Sequence, residues 1–330
     1  MDILNNAVIT YDCIRASVSV SEEDMSAFSV QKGDILFQRS SETLEDVGRA
    51  NVYVDDIPAV FGGFVIRGKQ KTNYNPLFFK YLLSSPLARK RIIRMGAGAQ
   101  HFNIGQEGLS KVKLPFACID EQNKIAKILY LLDKRISLQS KIIEKMQTLI
   151  KGIRHNIFKD IRGEVLALGN IADVYQPQTI SSSDLTTDGY WVYGANGIIG
   201  KYKEYNHETE QICITCRGNT CGTVNYTQPK VWITGNSMVI NTDKHQRQVN
   251  KRYLFHYLSS YNFNSIVSGS GQPQIVRTPL ERIKIALPSI EKQVQIAHGI
   301  DLIFMKIVTE YSMLALLENQ KQYLLRQMFI

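Results

Sequence analysis

The sequence is poor in the features that mark the common enzyme classes. It has no Walker phosphate-binding motif, no Gly-x-Ser-x-Gly elbow and no His-Glu-x-x-His zinc helix. There is no Pro-Asp dipeptide to start the usual acidic nuclease signature. No apolar run approaches the roughly 20 residues needed to span a bilayer. No basic leader followed by an apolar stretch opens the sequence. Cysteines number five, an odd count that favours free thiols over a disulfide framework and, with no secretory leader, a cytoplasmic location. Together these absences argue against an independent enzyme, a membrane span and a secreted disulfide scaffold.

What is present is ordinary in composition. The 330 residues are 44% hydrophobic and 21% charged, enough for two domains with their own cores. The net charge is +9, and its distribution matters more than its size. Between Arg67 and Lys113 there are ten Lys or Arg and one acid, Glu107, whereas the first 66 residues are acidic by contrast. A one-sign block of this kind suits a phosphate-bearing partner, although solvated charge is the simpler alternative.

Three local patterns invite chemistry and fail it. Gly194–Lys201 resembles a phosphate loop but has five residues between its glycines, with Tyr202 where Ser or Thr would hold magnesium. Strand–turn–strand fits better. Asn75-Pro76-Leu77-Phe78 resembles an amino-methyltransferase signature but lacks its second proline, and a helix start is expected. Cys213 and Cys216, with Cys221 and His207 nearby, lack a second CxxC pair, and a spacing of three on a strand sends them to opposite faces. No metal site and no catalytic residue is expected.

The strongest signal is internal repetition. Tyr81-Leu82-Leu83-Ser84-Ser85 returns as Tyr257-Leu258-Ser259-Ser260. Leu114-Pro115, followed by Ile119, Gln122, Ile125 and Ala126, returns as Leu287-Pro288, followed by Ile290, Gln293, Ile296 and Ala297. Gln122 to Phe158 and Gln293 to Phe329 span the same number of residues. After each motif runs a long helical pattern. From Asp120 to about Ile161 there is no proline and one glycine, Gly152. At 1.5 Å per residue, 36 residues make a helix of about 54 Å.

A heptad frame starting at Ile125 puts Ile125, Ile128, Leu132, Ile142, Met146, Leu149 and Ile153 on a and d. Leu129, Ile136, Ile143, Ile150 and Ile157 fall on e, widening the stripe. Arg135 and Gln139 interrupt the seam, as polar residues do where register is fixed. In the second copy Ile296, Ile303, Met313, Leu317 and Leu324 occupy the seam, with Ile300, Ile307, Leu314 and Met328 beside it. The simplest packing is antiparallel, helix on helix. The expected fold is α+β: two β-rich domains separated by two long, antiparallel, coiled-coil-like helices. The expected divisions are 1–116, 117–162, 163–290 and 291–330.

The ordered, duplicated set resembles the specificity subunit of type I restriction–modification enzymes. Its second copy carries the resemblance best, in Leu287-Pro288-Ser289-Ile290-Glu291-Lys292-Gln293-Val294-Gln295-Ile296-Ala297 closing at Met328-Phe329. Leu168-Gly169-Asn170-Ile171-Ala172-Asp173-Val174 and Tyr193–Gly200 look like such a subunit's target-recognition domain. The first domain departs: it lacks a counterpart of Leu168–Val174, so it is expected to be incomplete at its start. The resemblance covers nearly the whole chain.

It implies a non-catalytic, cytoplasmic reader of a bipartite, asymmetric site in double-stranded DNA. It also implies docking of two modification (methyltransferase) subunits, joined by restriction subunits. S-adenosylmethionine, ATP and magnesium would belong to those partners, with no cofactor on this chain. The paired helices would set the spacer. The rival readings are a general nucleic-acid-binding adaptor and, less simply, a stand-alone DNA-modifying enzyme.

Candidate base-reading residues are the Arg, Asn, Gln, His and hydroxyl groups of three glycine-rich loops. They are Arg217, Asn219 and Thr220; Gln272 and Gln274 of the Gly269–Gln274 loop; and Gln100, His101 and Asn103 as its first-domain counterpart. Candidate phosphate contacts are Lys80, Arg89, Lys90, Arg91 and Arg94, with Lys201, Lys203, Lys251 and Arg252 in the second domain.

Overall fold

The computed structural model describes every residue except Met1, Asn196, Ser270 and Ile330. Asn196 of the glycine-flanked turn and Ser270 of the Gly269–Gln274 loop therefore lie outside the described residues. The chain forms two compact units. Unit 1 comprises Met1–Ile142 with Glu310–Ile330, and unit 2 comprises Ile143–Thr309. The central helix, Ile119–Asp160, and the last helix, Ile290–Gln327, are each continuous and contribute a portion to both units.

Unit 2 is built on a four-stranded antiparallel sheet, in the order Val224–Tyr226, Ile212–Thr215, Ser237–Asn241 and Asp173–Tyr175. One face packs on helix Lys251–Ser260 and the long helices, burying Ile212, Ile214, Met238, Tyr253, Leu258, Ile300 and Ile307. The other face buries Cys213, Val239, Tyr193, Val231 and Ile233. Cys213 and Cys216 thus enter separate clusters, as their spacing dictates. The hairpin Tyr190–Gly194 with Gly197–Tyr202 is the strand–turn–strand expected of the false phosphate loop. Glu164–Ala167 pairs with Lys284–Leu287.

Unit 1 repeats this plan in reduced form. Its sheet runs Ala50–Val52, Ile35–Gln38, Val65–Gly68. These strands match Val224–Tyr226, Ile212–Thr215 and Ser237–Asn241. Among the described residues no strand of unit 1 corresponds to Asp173–Tyr175 or Glu164–Ala167. The apolar stretch Ala59–Ile66 is split into a strand that ends at Val60, a turn closed by Val65 N–H to the Gly62 carbonyl, and a new strand from Val65. Two adjacent glycines, Gly62 and Gly63, favour the turn.

The repeated motif has a mechanical meaning. Asn75 caps helix Pro76–Ser84 through its side chain, and Asn250 caps Lys251–Ser260 in the same way. The Asn75 N–H donates to Gln122 Oε1 at 2.9 Å, and the Asn250 N–H to Gln293 Oε1 at 2.8 Å. Each glutamine returns its amide to the turn just before its own helix, at Ala117 O (2.8 Å) and Pro288 O (2.9 Å). Both are almost fully buried. The repeated Gln therefore fastens a long helix to the capped helix beside it.

Within unit 1 the long helices run antiparallel. Gln139 donates to the Glu310 backbone carbonyl at 3.1 Å, Asp133 pairs with Lys321 at 2.6 Å, and Ile125 and Leu129 cluster with Leu325 and Phe329. Residue numbers rise on one helix as they fall on the other. In unit 2 Ile150 and Phe158 share a core with Ile300 and Ile307.

The seam keeps the expected a row but takes the e row in place of d. The inward residues are Ile125, Leu129, Leu132, Ile136, Gln139, Ile143, Met146 and Ile150, all buried or half-buried. Ile128 (48% exposed) and Leu149 (57%), expected in the seam, face outward, as does Ile142. The unbroken apolar row at 129, 136, 143, 150 and 157 outweighs a d row interrupted by Arg135. Gln139 does sit in the seam and bonds across it, whereas Arg135 is solvated. Ile153, Ile296, Ile303 and Leu324 are half-buried, and Ile300 and Leu317 fully buried.

Candidate nucleic-acid interface

In unit 2 the structure joins two loops that are far apart in sequence. The strand Ile212–Thr215 continues through Cys216 into the Arg217–Thr220 loop. Arg217 bridges antiparallel to Gln274, the Gly218 N–H donates to Pro273 O at 2.9 Å, and the Ile275 N–H donates to Cys216 O at 3.0 Å. The second loop closes on itself, with Ser268 and Gln274 exchanging backbone bonds of 2.8 Å. Gly269, at φ +91°, makes that closure possible, since a Cβ there would lie 2.5 Å from the Gln272 carbonyl oxygen. Arg217, Asn219, Gln272 and Gln274 are all exposed on the joined surface, with Thr220 at its edge. Beside them lies a cavity of about 370 Å³ lined by Gln176, Arg217, Gln274 and Arg277.

Unit 1 carries the same construction. Ala97 and Asn103 exchange backbone bonds of 2.9 and 2.8 Å, and Gly98, at φ +144°, occupies the place of Gly269. A Cβ at Gly98 would sit 2.0 Å from the His101 carbonyl oxygen. Gln100, His101 and Asn103 are exposed at this loop. Against it pairs Ser40–Ser41, with Ser40 opposite Asn103 and Ser41 opposite Phe102. The Ile104 N–H donates to Arg39 O at 2.9 Å, as Ile275 does to Cys216. The loop after Gln38 was missed in the sequence because it carries Ser-Ser-Glu-Thr with no glycine among them, where the unit 2 loop has Arg217-Gly218. Only its pairing register reveals it.

The cationic candidates divide. Lys80, expected to meet phosphate, is buried, with Nζ 3.3 Å from Asp133 Oδ2, and desolvation lowers its pKa. Asp133 also accepts from Lys321 and from the Tyr81 hydroxyl at 2.9 Å, and these donors hold its carboxyl below the usual range. Arg89 donates to the Glu45 and Val47 carbonyls at 2.8 and 2.7 Å, bracing the Ser40–Val47 loop from beneath. Arg91 bonds to the Lys113 carbonyl. Lys251 pairs with Asp243 at 2.6 Å, and Arg252 forms a fork with Asp301 while lying over the Tyr226 ring. These five are internal fasteners, because their positive heads meet fixed acceptors inside the fold. Lys90 and Arg94 remain exposed, as does Lys203 beside Glu204, and half-buried Lys201 lies over the Trp191 ring.

Between helix Lys251–Ser260 and the long helices of unit 2 runs a largely buried hydrogen-bonded chain. Arg154 Nη2 is 3.0 Å from His256 Nδ1, and His256 Nε2 is 2.8 Å from Asp301 Oδ1. Arginine can only donate, so Nδ1 accepts and Nε2 carries the proton toward Asp301. Burial, reinforced by the Arg154 charge, pushes His256 down to about 4. Unit 1 places Lys80, Tyr81, Asp133 and Lys321 in the corresponding location between its capped helix and its helix pair.

Comparisons with known proteins agree with this architecture. The chain is 26% identical over 219 residues to the EcoprrI type I restriction enzyme specificity subunit of Escherichia coli, covering 60% of this chain and 54% of that one. It thus spans about half the length of that relative. It is 26% identical over 315 residues to the putative MjaX type I specificity subunit of Methanocaldococcus jannaschii, covering 84% of this chain and 73% of that one. The crystal structure of a type I restriction–modification S subunit from M. genitalium shares the fold, with a TM-score of 0.61 at 18% identity, over 92% of this chain and 84% of that one. Residues 2–148 and 163–318 each match the type I restriction modification DNA specificity domain, and the chain belongs to that family.

Proposed function

We propose that this chain is the non-catalytic DNA-reading subunit of a type I restriction–modification complex. Unit 2 and unit 1 would each read one block of a bipartite, asymmetric duplex site. The observation that carries this reading is the paired-loop surface, present in each unit on the same pattern of backbone bonds. Side chains suited to base edges stand on both. Exposed Lys90, Arg94 and Lys203 supply candidates for phosphate contact.

Docking of modification subunits is supported by the outward faces of the long helices. In unit 1, Ile128, Leu131, Leu138 and Ile142 of the central helix are exposed, with Leu316 and Tyr323 of the last helix. In unit 2, Leu149, Leu302, Met305 and Val308 are exposed. Side chains this apolar, at near-heptad spacing, suit burial against further helices. S-adenosylmethionine, ATP and magnesium would be held by the partner subunits.

The test is to co-express the chain with an adenine-methylating modification subunit from the same host and map the methylated adenines. Two specified blocks flanking an unspecified spacer are expected. Arg217→Ala should relax one block by tenfold or more, about the value of one good base contact, while assembly persists. Methylation that is independent of this chain, or turnover by the purified chain alone, would overturn the reading.

A further inference from the structure

The two paired-loop surfaces can be aligned residue by residue from backbone bonds alone. Ser268↔Gln274 matches Ala97↔Asn103, and Arg217↔Gln274 matches Ser40↔Asn103. Gly218 meets Pro273 where Ser41 meets Phe102. At the far end of the loop, the Gly222 N–H donates to Thr215 O at 2.8 Å, and the Gly48 N–H to Gln38 O at 2.9 Å. Both glycines have positive φ. Arg217–Cys221 and Ser40–Val47 are therefore the same loop, three residues longer in unit 1.

The chemistry of the two loops is opposite. The unit 2 loop presents Arg217, Asn219 and Thr220, all exposed and led by a group that only donates. The unit 1 loop presents Ser40, Ser41, Glu42 and Thr43, with Glu42 and Thr43 exposed. The exposed ionised groups of this loop, Glu42 at its tip and Glu45 beyond it, accept only. Leu44 and Val47 anchor the loop in the core, and Arg89 holds the Glu45 and Val47 carbonyls, so the tip is presented from a fixed base. A carboxylate in the major groove accepts from the amino group of cytosine or adenine, whereas an arginine donates to the paired acceptors of guanine.

We infer that Ser40–Thr43 is the base-contacting segment of unit 1, and that Glu42 reads a base amino group where Arg217 of unit 2 reads a guanine edge. This rests on the function proposed above and names residues within it. The two half-sites would then differ in hydrogen-bonding character at equivalent positions.

The experiment uses the full chain in its modification complex, mapping methylated adenines for the wild type, Glu42→Gln, Thr43→Ala and Arg217→Ala. Glu42→Gln should cost about tenfold discrimination at a cytosine or adenine of one block, because an amide can also donate and no longer selects an amino group. Thr43→Ala should disturb the same block, and Arg217→Ala the other. If wild-type methylation follows no sequence set by this chain, the functional reading itself falls. If it does, and Glu42→Gln and Thr43→Ala leave every position unchanged, the assignment of this loop alone falls. Relaxation in the block that Arg217→Ala affects would also overturn it.

Discussion

At the scale of the residue, buried polar groups in this chain hold elements together. His256 illustrates the energetic consequence. It is fully buried, accepts from Arg154 and donates to Asp301, and is pushed down to about 4; desolvation likewise pushes His207 to about 4. An unfolded histidine takes a proton near pH 6.5. Between pH 6.5 and about 4 the unfolded chain therefore binds more protons than unit 2 does, so stability falls as pH falls through that window. Each histidine contributes up to roughly 3 kcal/mol of this loss, and below about pH 4 neither adds further. His256→Gln should remove about half of the pH slope in urea midpoints for unit 2 between about pH 6.5 and 5, above the range in which unfolded carboxylates take up protons. An unaltered slope would show that His256 titrates normally in the fold.

At the scale of the element, the long helices test how far a heptad reading can be trusted. Ile143 lies in the seam at 4% exposure, while Leu149 is 57% exposed. Ile143→Asp buries a carboxylate without a partner and should cost 3 kcal/mol or more. Leu149→Asp should change stability of the isolated chain by no more than about 0.5 kcal/mol. Thermal melts of the two variants decide between the seams, and a larger loss for Leu149→Asp than for Ile143→Asp would restore the a/d frame. The helices themselves were legible in the sequence to within a residue or two, because 42 and 38 residues without proline leave little else to form. Their inward face was not, since a stripe of a, d and e positions admits two seams and only the facing helix chooses. Among the site loops, Arg217 and Gln274 were legible as polar groups in loops that carry glycine. Their contact was not, because 57 residues of chain separate them and backbone pairing closes the gap. Lys80 and Arg252 misled for a related reason: nothing in a basic run marks which heads will meet Asp133 or Asp301.

At the scale of the whole molecule, the chain is one plan carried out twice with unequal material. The capped helix, the Gln fastener, the antiparallel helix pair and the paired loops recur in both units. The sheets differ by an edge strand, and the loop tips differ in charge. Such a division suits a scaffold that meets identical partners at two places while its tips meet unlike sequences. The exposed helix faces give this a measurable form. Leu131 is 55% exposed on unit 1 and Leu302 50% exposed on unit 2, each beside other outward apolar side chains. If each unit docks one modification subunit, Leu131→Asp should lower the complex from two such subunits to one, and Leu302→Asp should do the same through the other unit. The free chain should keep its melting temperature in both variants, because neither side chain lies in its core. Native mass spectrometry reads the stoichiometry directly. Two bound subunits in both single variants, and in the double variant, would place docking elsewhere than on these helix faces.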